Sequence, residues 1–179
     1  MKLRVPLCLS LAAMLAPLAL AQATANPITS TVKHIMTMSE HNMVAAAKLM
    51  PAAKYTYKPT AAQWTFRHLI KHATASNYFF CSKLTGAAMP AAAKGVMSAN
   101  PPKATLVSHL QASYAYCQSR FATQTDGNLD SPVHLFGPHP FPRGGALIMM
   151  TDDWTDHYSQ AASYLRLNGI LPPTARGKM

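Results

Sequence analysis

The chain has 179 residues and carries 16 Lys and Arg against 6 Asp and Glu, a formal net charge of +10. An excess of that size marks nucleic-acid binders when it gathers into runs or stripes. Here the basic residues stand singly with no aromatic interleaving, so nucleic acid is set aside as a partner class. What remains is a basic chain long enough for one domain with a real core.

Lys2 and Arg4 form a short basic region, and Val5 to Ala21 is almost wholly apolar. Ala19-Leu20-Ala21 then offers the small-x-small pattern that signal peptidase reads. Residues 1–21 are therefore expected to be a cleaved signal peptide, cut before Gln22, with Ala23-Thr24-Ala25 as the second choice. Residues 22–179 are expected to form one domain, periplasmic or secreted. The competing reading is an uncleaved anchor. Against it, the run is short for the roughly 20 residues a span needs, and Pro6 and Pro17 interrupt it. No later apolar run is long enough to span, so no membrane partner is expected after cleavage.

Four helical segments follow from periodicity and punctuation. The first runs from about Ile28 to Met50 and stops against Pro51. The linker "PAAKYTYKPTAAQW" is too proline-bounded to be helical throughout. The second helix runs from about Thr65, a plausible N-cap, to Leu84, with Gly86 beyond. The stretch "GAAMPAAAKGVMSANPP" is long enough to be a crossover between helices that are not simple hairpin neighbours. The third helix runs from about Lys103 to Thr125, ended by Asp126-Gly127-Asn128. After "LDSPVHLFGPHPFPRGG", read as an ordered loop or irregular arm, the fourth runs from about Ala146 to Asn168 and stops at Gly169. No stretch alternates as a strand would. The expected fold is an all-α four-helix bundle with a long crossover between helices 2 and 3.

Once Cys8 leaves with the signal, Cys81 and Cys117 remain as an even pair in an oxidising compartment, each inside an expected helix. A disulfide would clamp those helices together. Two separately buried thiols are the alternative.

The fourth helix gathers Asp152, Asp153, Asp156 and His157 within six residues of "TDDWTDHY". Leu147, Met150, Trp154, His157, Ala161, Tyr164 and Asn168 recur in steps of three and four, the seam that packs inward. His157 thus belongs to the inner face, and Asp153, one turn earlier, points nearly the same way. Asp152 and Asp156 turn towards solvent. A helix-dipole explanation fails for Asp153 and His157, because that effect fades within the first turn. Further imidazoles stand at His68 and His72, one turn apart in the second helix, and at His34, His41 and His109. Facing helices that each project an imidazole or carboxylate inward are a known way to build a metal site. The aromatic run Tyr78-Phe79-Phe80 and the many methionines read mainly as core packing, with a ligand pocket as the other use.

The pattern "YTYKPTAAQWTFRHLIKHATASNYFFC", followed by "DHYSQAASYLRLNGILPP", resembles the DinB-like superfamily. These are four-helix bundles related to the damage-inducible DinB proteins and to metal-dependent thiol transferases. The resemblance covers about Thr31 to Pro173 and, with the leader, describes a secreted member. It implies a divalent metal held by one His of the second helix and an HxxxH pair of the fourth. Those positions fall on His72, on Asp153 in place of the first His of the pair, and on His157. Ser159 stands where the family commonly has Gly.

Two histidines and a carboxylate remain a competent set for zinc, nickel or iron(II). The alternative is a degenerate site in which Asp153 only hydrogen-bonds His157. His68 and Asp156 are candidates for an outer shell around the ligands. The functions implied are a metal-dependent hydrolase or thiol S-transferase acting on an unidentified small molecule, or a non-enzymatic metal- or ligand-binding bundle. A homodimer is compatible with either.

Overall fold

The computed structural model describes residues 25–177; the leader assigned to residues 1–21 lies outside them. Four helices dominate: α1 (Pro27–Leu49), α2 (Phe66–Thr85), α3 (Lys103–Phe121) and α4 (Arg143–Leu167). α2 packs most extensively on α3 and α1 on α4, while α1 also meets α3 and α2 meets α4. The cross-contacts set the directions. Arg67 at the start of α2 donates to the Pro101 carbonyl just before α3, and Cys81 and Cys117 join their later turns. α2 and α3 are therefore parallel neighbours. Lys103 at the start of α3 reaches the Lys48 and Met50 carbonyls at the end of α1, and Arg143 at the start of α4 reaches the Leu84 carbonyl near the end of α2. The order is up-down-down-up. A parallel neighbour cannot be joined by a tight turn, so residues 86–102 must return along a helix of 20 residues, about 30 Å.

The helix ends show where local chemistry agrees with the sequence and where distant groups intervene. Thr65 caps α2, accepting from the His68 amide at 3.1 Å, and Gly86, at φ 69°, supplies the left-handed residue that closes it. α1 is capped from a distance: Asp126 accepts from the Ile28 and Thr29 amides at 2.9 and 2.8 Å and from the Thr29 hydroxyl. α3 stops at Phe121 rather than near Thr125. The chain leaves the helix there because Lys33 takes the Ala122 and Gln124 carbonyls and Asp126 is drawn to the start of α1. α4 begins at Arg143, earlier than Ala146, because the Arg143 and Gly144 amides donate to the Ser131 and Leu129 carbonyls and hold both glycines in the first turn.

The arm before α4 is more regular than expected. It forms a two-residue antiparallel ladder, β1 (Pro132–Val133) with β2 (Phe141–Pro142). Phe136 from its tip stacks on Phe79, with ring centroids 5.3 Å apart, which lays the arm on α2. The core is contiguous and holds Met36, Met43, Met50, Leu69, Leu110 and Met150, each nearly or fully buried. Met36, Met43, Met50 and Met150, with Tyr78 and Phe80, are thus packing residues, while Met38, Met89 and Met97 are exposed. No helix among the described residues is long and apolar enough to cross a membrane.

Two predictions follow from these contacts. The Cys81–Cys117 disulfide closes a loop of sequence separation 36. Its reduction is expected to remove about 4 kcal/mol in the loop-entropy model, a fall in melting temperature of roughly 10 °C for a domain of this size, read by thermal unfolding with and without reductant. For Asp126, desolvation raises the pKa, but the Thr29 hydroxyl and amide, the Ile28 amide and the Arg143 charge outweigh it and hold the carboxyl below its usual range. A depressed folded-state pKa gives stability that is present above the unfolded value and lost as pH falls through the folded one. Asp126→Asn should therefore unfold at lower urea than the wild type at pH 7, and the gap should close in acid below about pH 4.

Candidate metal centre

α2 and α4 run antiparallel, and their register is held by one buried polar chain. The Trp154 indole donates to Asn77 Oδ1 at 2.7 Å, and Asn77 Nδ2 donates to Ser113 Oγ at 2.9 Å. Ser113 passes its hydrogen to the Leu110 carbonyl at 2.7 Å. Each of these groups is buried, so shifting α4 along α2 would strand several of them at about 1–3 kcal/mol apiece. The inner seam read from the sequence is buried from Leu147 to Tyr164, and Asn168 at its end is half-buried.

That register brings His72, Asp153 and His157 together, with one ligand atom from each lying within 4.8 Å of the others. His157 is 5 % exposed. Its Nδ1 approaches Asp153 Oδ2 to 3.2 Å, yet the alignment falls short of a hydrogen bond, and both buried atoms lack a hydrogen-bond partner. The other carboxylate oxygen of Asp153 accepts from Ser76 Oγ at 3.2 Å. The His72 ring meets the His157 ring edge-on at a centroid distance of 4.9 Å. Burial lowers the His72 pKa, the neighbouring His157 adds to that, Asp153 opposes it and His68 lowers it further. The net shift is downward, which favours the neutral imidazole, the form that ligates metals.

The donor set fits a divalent cation. Two nitrogens and a carboxylate oxygen suit zinc with an open position and suit iron(II) as a facial set. Atoms bound to one zinc lie at most about 4.2 Å apart, so a small side-chain rotation from the arrangement seen would suffice. A cation between Asp153 Oδ2 and His157 Nδ1 would also satisfy the two atoms that nothing else satisfies.

A model of the DinB superfamily matches residues 35–161. The chain belongs to the DinB superfamily. No curated protein matches it. Among solved structures, it is similar to a DinB-like protein from Bacillus subtilis at 16% identity and a TM-score of 0.65, covering 83% of this chain and 99% of that one. A DinB-like protein from Bacillus cereus is similar at 16% identity and a TM-score of 0.68, covering 80% and 95%. At that identity the likeness speaks for the DinB fold alone.

The remaining sequence candidates fall outside the cluster. Asp156 is exposed and accepts from Gln160 at 2.7 Å, so it takes no part in an outer shell. Asp152 is exposed, as are His34, His41 and His109. His68 stacks near His72 at 6.5 Å between ring centroids but offers no atom to the cluster. Two neighbours were not singled out from the sequence. Ser76 lies one turn beyond His72 on the same face, a spacing that could have drawn notice. Trp64, 4.7 Å from the His72 ring, precedes the helix but stands four and eight residues before His68 and His72, the same spacing.

His72→Ala and His157→Ala should each abolish stoichiometric uptake of zinc or nickel. Asp153→His should retain uptake and tighten it, because imidazole suits both metals. Metal content by elemental analysis after dialysis, together with the melting temperature of the loaded protein, checks all three.

Proposed function

We propose that this chain holds one divalent metal through His72, Asp153 and His157 and uses it to hydrolyse a small-molecule substrate outside the cytosol. The observation that carries the reading is the buried, adjacent and unpaired couple of Asp153 Oδ2 and His157 Nδ1 beside His72. The same three positions are those on which the family resemblance places its ligands. When bound, the metal supplies Lewis acidity, polarising a substrate oxygen and acidifying a water.

The chain's own residues do the rest. Ser76 restrains the carboxylate of Asp153, leaving one oxygen directed to the cluster. Burial lowers the His72 pKa and so favours the unprotonated imidazole that ligates metals. The hydrogen-bonded Trp154, between Asp153 and His157 in sequence, fixes both on the inner face. All three ligands come from one chain, so a second copy is not required.

Hydrolysis is preferred to thiol transfer because the Cys81–Cys117 bridge supports an oxidising compartment. Such a compartment is poor in low-molecular-weight thiols. With the leader-like residues 1–21, the bridge also supports a periplasmic or secreted location.

A second reading, metal binding without turnover, draws on burial. Asp153 is only 19 % exposed at its side chain, and a cleft of about 810 Å³ between α1 and residues 173–177 is lined by His41, Lys48 and Arg176 without touching the three ligands.

A screen of carboxylic and phosphoric esters against the zinc-, nickel- and iron(II)-loaded protein tests the choice. Turnover is expected to vanish in His157→Ala and to be absent from the metal-free protein. Stoichiometric metal with no turnover on any ester or thiol substrate would leave the binding reading. A wild type that takes up no metal would remove both.

A further inference from the structure

Trp64 is 41 % exposed, although tryptophan offers the largest surface to bury. Its surroundings explain why it is nonetheless ordered. The Tyr164 hydroxyl, from α4, donates to the Trp64 carbonyl at 2.6 Å. The next residue, Thr65, caps α2, and the Phe66 and Arg67 amides donate to the Tyr57 and Tyr55 carbonyls at 2.9 and 2.8 Å. The backbone at Trp64 is thus held by α4, by α2 and by the linker at once. The indole, by contrast, rests on two imidazoles, with centroids 4.6 Å from His68 and 4.7 Å from His72 and tilts of 46° and 48°.

His72 needs such a neighbour. Metal-ligating imidazoles are ordinarily oriented by a hydrogen bond from their second nitrogen. Here the hydrogen bonds of this region end at Thr65 and Ser76, and among the described residues none reaches a His72 nitrogen. What neighbours the His72 ring instead is aromatic surface: Trp64 at 4.7 Å and His157 at 4.9 Å between centroids. A ring packed against two others loses freedom to turn about its side-chain torsions.

We propose that Trp64 is the positioning residue of this site: packed against His72, it holds the imidazole in its ligand orientation and, by covering the ring, governs how fast a metal ion enters and leaves. The proposal rests on the metal reading for its second half only. The covering of His72 by the indole is a property of the metal-free protein and can be measured there. The backbone of Trp64 is anchored while its indole is 41 % exposed and its aromatic neighbours are the two histidines, so an outward turn of the indole would uncover the His72 ring.

Two measurements on the full chain test it. In the metal-free protein, diethyl pyrocarbonate modification of each histidine is followed by mass spectrometry. Trp64→Ala should acylate His72 and His68 several-fold faster than the wild type, while the exposed His34 and His109 serve as unchanged controls. Trp64→Phe, which restores an aromatic face, should return the rates close to wild type. In the zinc-loaded protein, release into excess chelator should be about tenfold faster in Trp64→Ala, the scale on which outer partners tune metal sites, and close to normal in Trp64→Phe. Unchanged His72 acylation in Trp64→Ala would overturn the proposal, as would a Trp64→Phe variant as fast as Trp64→Ala. If the wild type binds no zinc, the metal reading fails by itself, and the acylation rates still decide whether Trp64 covers His72.

Discussion

The hydrogen bond from the Trp154 indole to Asn77, passed on to Ser113, is the contact that sets everything else at this site. Apolar faces alone permit a helix to slide along its neighbour, because burial is proportional to area and has no direction. A buried donor is different: moved away from its acceptor, it loses a partner that water cannot replace. Since Asn77 is one turn beyond Ala73 on α2 and Trp154 sits between Asp153 and His157 on α4, this one contact determines which residues of α2 face that pair. They are His72 and Ser76. The same chain reaches α3, so three of the four helices share one register.

The disulfide acts in the same direction at a neighbouring level. Cys81 lies one turn beyond Asn77 on α2, and Cys117 one turn beyond Ser113 on α3. Covalent and hydrogen-bonded links therefore lie side by side along the α2–α3 seam. These two helices are parallel and joined by a long connection with only short turns of its own, so loop length constrains them little. The cross-links replace the constraint that a tight hairpin would have given.

Much of this was legible in the sequence, and the reason is periodicity. The inner seam of α4 placed His157 inside and Asp156 outside, and both are found there. The Thr65 cap and the Gly86 stop are local chemistry and were read as such. The boundaries that moved did so for non-local reasons. α3 stops early because Lys33 and Asp126 bind across to α1, and α4 starts early because carbonyls of the preceding arm accept its first amides. The short ladder in the arm has the same character, since Pro132 and Phe141 meet only when the arm folds back. Trp64 was missed because it lies before the Thr65 cap, outside the helix whose periodicity was read, although its spacing of four and eight residues to His68 and His72 matches that helix.

Asp153 remains the residue where composition and chemistry meet most sharply. A buried carboxylate is tolerated only when something offsets its lost hydration. Ser76 serves one of its oxygens, and a neutral serine cannot neutralise charge. His157 is near enough to do so if protonated, but the two are not aligned as a hydrogen-bonded ion pair would be. A hydrophobic residue would fill the same volume without penalty, and the chain is frugal with acids, having six in 179 residues. An acid on the inner face of a helix, facing two imidazoles, with burial lowering the pKa of one of them, makes a donor set that could hold one shared cation.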